Sequence, residues 1–143
     1  MTPRSLAVHA FAIAAGFAIA MPAAAEMLTM KVPLSGASEV PANTSSARGE
    51  ADVTFDTTSR KLAWKVSYSG LTGPATAAHF HGPADPGKNA AIVVPIPNPG
   101  ASGAEGSATL TEAQAADLVA GRYYINVHTA AHPAGEIRGQ VKK

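Results

Sequence analysis

The stretch Ala78-His79-Phe80-His81-Gly82-Pro83 sets two imidazoles one strand-step apart. Side chains alternate between faces in extended backbone, so His79 and His81 leave one side together while Phe80 goes to the other as an apolar anchor. Two imidazoles held this way make half of a metal site. The second half is expected in Asn126-Val127-His128-Thr129-Ala130-Ala131-His132, where the same alternation turns Val127 inward and His128 outward. A turn there brings His132 back towards His128. Neutral imidazole suits copper, zinc, iron and nickel, and Cu(II) stands highest in the divalent affinity order for such nitrogens.

Three further residues are expected behind these ligands: Asp85, Glu136 and Asn126. By parity Arg138 shares a face with Glu136 and Gln140, opposite Ile137, and lies across a hairpin from Asn126 and His128. A cation at that place guides a small anion such as superoxide, or holds a carboxylate behind a ligand. The plainer reading pairs it with Glu136 or Asp85. Asp85 itself, in the loop after His81, either orients a ligand imidazole or closes an Asx turn.

The chain has 143 residues. Its start has the form of a secretory leader: Arg4, then an apolar run from Leu6 to Met21, then Pro22-Ala23-Ala24-Ala25. Cleavage is expected after Ala25, because the run is short for a membrane span and small residues follow it. Residues 1–25 are thus read as a signal peptide and 26–143 as one domain of a size that buries a proper core, in a periplasmic or secreted protein with no membrane span after cleavage. Loss of Arg4 leaves the 10 acidic residues matched one for one by Lys and Arg. With no basic run in view, nucleic acid is excluded as a principal partner.

No cysteine is present. An exported chain without disulfides relies on its core and its hydrogen-bonded sheet, and a thiolate metal site is ruled out. Outside the cell copper meets no thiol competition, so copper is the expected ion and zinc the alternative.

The scaffold is read from periodicity. Leu28 to Leu34 reads as a strand, and Ala51, Val53 and Phe55 alternate with polar neighbours. Residues 57–60 then form a hairpin connection, and Leu62, Trp64, Val66 and Tyr68 give the clearest strand. Gly70, Gly73 and Pro74 precede the strand carrying His79 and His81, and residues 82–89 form a loop beside it. Short strands are expected at residues 91–96 and 106–110. Thr111-Glu112-Ala113-Gln114 has the form of a capping box, and Gly121 stands where a helix ends. Strands over Tyr123–His128 and Glu136–Val141 complete an all-β fold: an antiparallel, Greek-key-like sandwich or barrel of about eight strands with one short helix.

His79-Phe80-His81-Gly82-Pro83-Ala84 and Tyr124-Ile125-Asn126-Val127-His128-Thr129, followed by Pro133-Ala134-Gly135-Glu136-Ile137-Arg138-Gly139-Gln140, resemble the two signature stretches of the CHRD (chordin-type) domain. Leu34-Ser35-Gly36-Ala37-Ser38-Glu39-Val40-Pro41 is similar to the opening of that domain. The resemblance implies a β-sandwich module of exported bacterial proteins and of an animal extracellular growth-factor antagonist. It matches the family at His79, His81 and His128, while the position of His132 varies in the family. A more distant likeness to copper–zinc superoxide dismutases implies copper ligation by the His-x-His strand. No histidine lies between His81 and His128 and there is no cysteine pair, so any such activity is of a copper-only type, with Arg138 as the anion guide.

Three functions follow as expectations: a copper site turning over superoxide, a metal store or carrier, and a binding or adhesion module with structural histidines. Hydrolysis is disfavoured, since there is no Gly-x-Ser-x-Gly elbow and no His-Glu-x-x-His helix.

Overall fold

The computed structural model describes residues 24–100 and 102–143; the leader expected over residues 1–25 falls almost wholly outside them. Among the described residues the chain forms β1 (Met27–Ser35), β2 (Arg48–Asp56), β3 (Lys61–Ser69), β4 (Ala75–His81), β5 (Ile92–Pro95), β6 (Gly103–Thr109), α1 (Glu112–Val119), β7 (Tyr123–Thr129) and β8 (Ile137–Val141). All strand pairings are antiparallel, in the order β5-β4-β7-β8-β1-β2-β3-β6. This single sheet curls into a nearly closed barrel or sandwich, as the alternating pattern predicts.

The alternation is obeyed strictly in the β1–β3 meander. Leu28, Met30, Val32 and Leu34 are buried on β1, Ala51, Val53 and Phe55 on β2, and Leu62, Trp64, Val66 and Tyr68 on β3. At the β2–β3 turn the Asp56 carboxylate accepts from the amides of Thr58 (2.8 Å) and Ser59 (3.1 Å), and Arg60 takes φ 57°. Strand β8 comes close against β1 because Gly139 has no Cβ, which would otherwise strike the Pro33 carbonyl. Strand β6 starts at Gly103, earlier than expected. Its small, polar sequence carries no apolar pattern, and only pairing with β3, Ser67 opposite Gly103, makes it a strand.

The helix follows its sequence signals. Thr111 Oγ1 accepts from Gln114 N (3.2 Å) and Gln114 Oε1 accepts from Thr111 N (2.9 Å), a complete capping box. At the other end Gly121 (φ 73°) donates to the Leu118 carbonyl and Arg122 N to that of Asp117, both at 3.0 Å, which is a Schellman closure. Leu118 anchors the helix in the core.

The core is what places the histidines. Phe80 is fully buried and meets Trp64 edge-on, 5.2 Å between ring centroids, so β4 is fastened to β3 across the interior. Burying such a side chain is worth about 1.5–3 kcal/mol. That anchoring turns His79 and His81 to the opposite face of β4.

Candidate metal centre

Strand β4 pairs directly with β7, with His79 opposite Asn126, His81 opposite Tyr124 and Ala77 opposite His128. The two histidine-bearing segments, far apart in sequence, are therefore neighbours on one outer face. His79, His81 and His128 each offer a ring nitrogen, and the three atoms lie within 4.8 Å of one another. His79 Nδ1 and His128 Nε2 are 3.2 Å apart. With bonds of about 2.0–2.1 Å, two nitrogens on one tetrahedral ion are separated by about 3.3 Å. The spacing fits a shared ion, so these three histidines could hold one.

Tautomer control supports the fit. His128 Nδ1 donates to the Pro133 carbonyl (2.9 Å), and His81 Nδ1 to the Ala90 carbonyl (3.0 Å). A neutral ring with its proton fixed on Nδ1 presents a bare Nε2, the atom that a metal takes. In both rings Nε2 faces the cluster: that of His128 lies 3.2 Å from His79 Nδ1, and that of His81 lies 3.0 Å from Asn126 Oδ1.

The face is sheltered. His81 is buried, while His79 and His128 are half-buried. Burial, then the neighbouring imidazoles His128 and His81, lower the affinity of His79 for a proton. Burial is also the main cause lowering that of His81, outweighing its hydrogen bonds to Ala90 and Asn126. Both rings are thus biased to the neutral form that ligates.

His81 is further held by stacking on Tyr124, whose hydroxyl accepts from Ala90 N (3.1 Å) and donates to Ala90 O (3.3 Å). The guanidinium of Arg138 rests over the Tyr124 ring at 3.4 Å and donates to Asn89 Oδ1 (2.8 Å) and the Lys88 carbonyl (2.6 Å). Arg138 is almost fully buried. Its side chain is committed to fastening the loop that carries Ala90 instead of standing open to solvent.

The other expected partners lie elsewhere. Glu136 accepts from the hydroxyls of Ser45 (2.7 Å), Thr129 (2.7 Å) and Thr72 (2.9 Å) and from Thr72 N (3.0 Å). Burial pushes its carboxyl up, but these bonds outweigh that and hold it below the ordinary range. Asp85 is solvent-exposed and pairs with Arg122 at 3.8 Å. Neither carboxylate hydrogen-bonds an imidazole or Arg138, which corrects the expectation that they orient the ligands or the cation. Glu136 is held instead by Ser45 and Thr72 from loops that periodicity cannot place and by Thr129 at the end of β7, and Asp85 pairs with the helix-end arginine. His132 is not part of the three-nitrogen group: its amide and carbonyl bond to Thr129, closing the β7–β8 turn. Asn126 is the one expected supporting residue that touches a ligand ring.

Glu39 escaped the sequence reading. Its carboxyl is buried beside Asn126, its Oε1 has no hydrogen-bond partner among the described residues, and burial raises its pKa to about 7 against the opposing pull of Arg138. Its sequence signals are its position directly before Val40-Pro41 and its place in the Leu34–Pro41 stretch that resembles a domain opening.

A protein-family model described as CHRD domain matches residues 30–141, which takes in every residue of the cluster. No curated protein and no solved structure matches the chain.

Proposed function

Since the chain belongs to the CHRD domain family, we propose that it is an exported member which binds one copper ion through His79, His81 and His128. The carrying observation is the 3.2 Å approach of His79 Nδ1 to His128 Nε2, with the Nδ1 atoms of His81 and His128 both clamped by main-chain carbonyls. An all-imidazole set on a chain without cysteine favours copper first and zinc second. Export rests on the leader pattern over residues 1–25; among the described residues no helix is long and apolar enough to cross a membrane. Copper titration of the purified protein, followed by calorimetry and by the Cu(II) electron paramagnetic resonance spectrum, tests the reading. One equivalent bound with nitrogen couplings that disappear in His79→Ala is expected, and the absence of stoichiometric uptake overturns it.

A second reading, superoxide disproportionation on that copper, is favoured by the partial exposure of His79 and His128, which leaves the centre reachable from solvent. Arg138 would serve it through its positive field, felt at His81, while remaining bound to its loop. Superoxide turnover by copper-loaded protein, lost in His79→Ala, is the expected result. Copper-loaded protein without turnover leaves a store or carrier.

A further inference from the structure

We infer that the carboxamide oxygen of Asn126 is the fourth ligand of the ion, completing a three-nitrogen, one-oxygen tetrahedron; this rests on the three-histidine reading above. His81 Nδ1 lies 3.0 Å from the Ala90 carbonyl, an obligate acceptor, so the proton of the neutral ring sits there. Its Nε2 therefore points a lone pair at Asn126 Oδ1, only 3.0 Å away. The amide cannot be reversed to relieve this. Asn126 Nδ2 donates to the Ala134 carbonyl (3.4 Å), an obligate acceptor, and lies beside the Glu39 carboxyl, so reversal would set the amide oxygen against a carbonyl.

Two acceptors facing each other inside a buried pocket repel, and a cation between them turns the repulsion into ligation. Two of the six ligand–ligand distances agree, and the three ring nitrogens as a set lie within 4.8 Å of one another. Asn126 Oδ1 to His81 Nε2 at 3.0 Å and His79 Nδ1 to His128 Nε2 at 3.2 Å are two separate pairs, as on opposite edges of a tetrahedron whose edge is about 3.3 Å for ligands at about 2.0–2.1 Å. Asn126 is 3% exposed and stands opposite His79 in the β4–β7 ladder, so backbone pairing presets its oxygen towards the ring nitrogens.

The test is a Zn(II) titration of isotope-labelled protein by NMR, with Zn(II) affinities of Asn126→Ala and Asn126→Asp measured beside the parent. The expected result is that the Asn126 side-chain amide resonances move at the same one-equivalent endpoint as the rings of His79, His81 and His128. Asn126→Ala is expected to bind at least about tenfold more weakly, and Asn126→Asp, with an anionic oxygen, no more weakly than the parent. If the three rings respond but the Asn126 amide does not, or Asn126→Ala binds as tightly as the parent, the fourth ligand is refuted and the three-histidine centre stands. If no histidine ring responds to Zn(II), the oxygen ligand is refuted, and the copper titration above decides the three-histidine centre separately. The parent titration decides the matter even where a variant does not fold.

Discussion

Tyr124 and His81 lie face to face, their ring planes 1° apart and their centroids separated by 4.8 Å. The same tyrosine carries Arg138 over its ring and grips both main-chain atoms of Ala90 through its hydroxyl. One side chain therefore sets the plane of a ligand ring and the direction of the carbonyl that fixes that ring's proton.

Tyr124→Phe keeps the stack and removes the grip on Ala90. It is expected to lower stability by about 1 kcal/mol and to weaken zinc or copper binding by less than about tenfold. Thermal unfolding and calorimetric titration read the two effects.

Arg138→Lys is expected to act as a loss and not as a conservative change. A point ammonium cannot lie flat on Tyr124 while reaching both Lys88 O and Asn89 Oδ1, so about 2–4 kcal/mol of stability should go. A denaturation midpoint equal to that of the parent would show that the planar fork is not what anchors the loop.

The histidines divide into members and a bystander. His79→Ala and His128→Ala should each weaken ion binding by about a hundredfold or more, beyond the 10–100-fold typical of residues behind the ligands. His132→Ala should leave it within about threefold, because only the main chain of His132 takes part in the hydrogen bonds of the turn. Comparable losses in all three variants would speak against this division.

Acid should reach the cluster late. The lowered pKa values of His79 and His81 keep both rings neutral as pH falls through the ordinary histidine value of about 6.5. The sign for stability is that the unfolded chain gains protons first, so these two rings contribute stability above that pH and lose it as pH drops through their own lower values. Histidine ring resonances followed from pH 8 to 4 should give midpoints for both residues below that of a free imidazole.

Glu39 works in the opposite sense. Its pKa, raised from 4.5 to about 7, means that the folded protein holds this proton more tightly than the unfolded chain. Its stability contribution is complete below about pH 4.5 and is lost as pH rises to about 7, an effect of about 1–2 kcal/mol after solvent screening. Glu39→Gln should therefore raise the unfolding free energy at pH 8 and leave it nearly unchanged at pH 4. An equal effect at both pH values would rule out a proton on Glu39 as the cause.

Local pattern carried a large part of this molecule. Alternation around Phe80 correctly turns His79 and His81 to one face, and the Thr111–Gln114 box with Gly121 locates the helix. Pattern could not show that the outer face of β7 is roofed over. Tyr124 and Asn126 point outward as parity requires, yet both are buried, because loop residues 82–91 and the β7–β8 turn fold back upon them. That cover is made of bonds between distant residues, such as Arg138 to Lys88 O and Asn43 Nδ2 to Glu136 O, which leave no periodic trace. The partners of Asp85, Glu136 and Glu39 are set by such long-range contacts, which periodicity does not encode, and His132 is kept in its turn by main-chain bonds to Thr129.

The protons of His81 and His128 are fixed by the peptide carbonyls of Ala90 and Pro133. A carbonyl survives most replacements of the residue that bears it. The two loops can therefore drift in sequence while the ring nitrogens keep their assignment, so mutational tolerance at positions 90 and 133 should coexist with intolerance at 81 and 128.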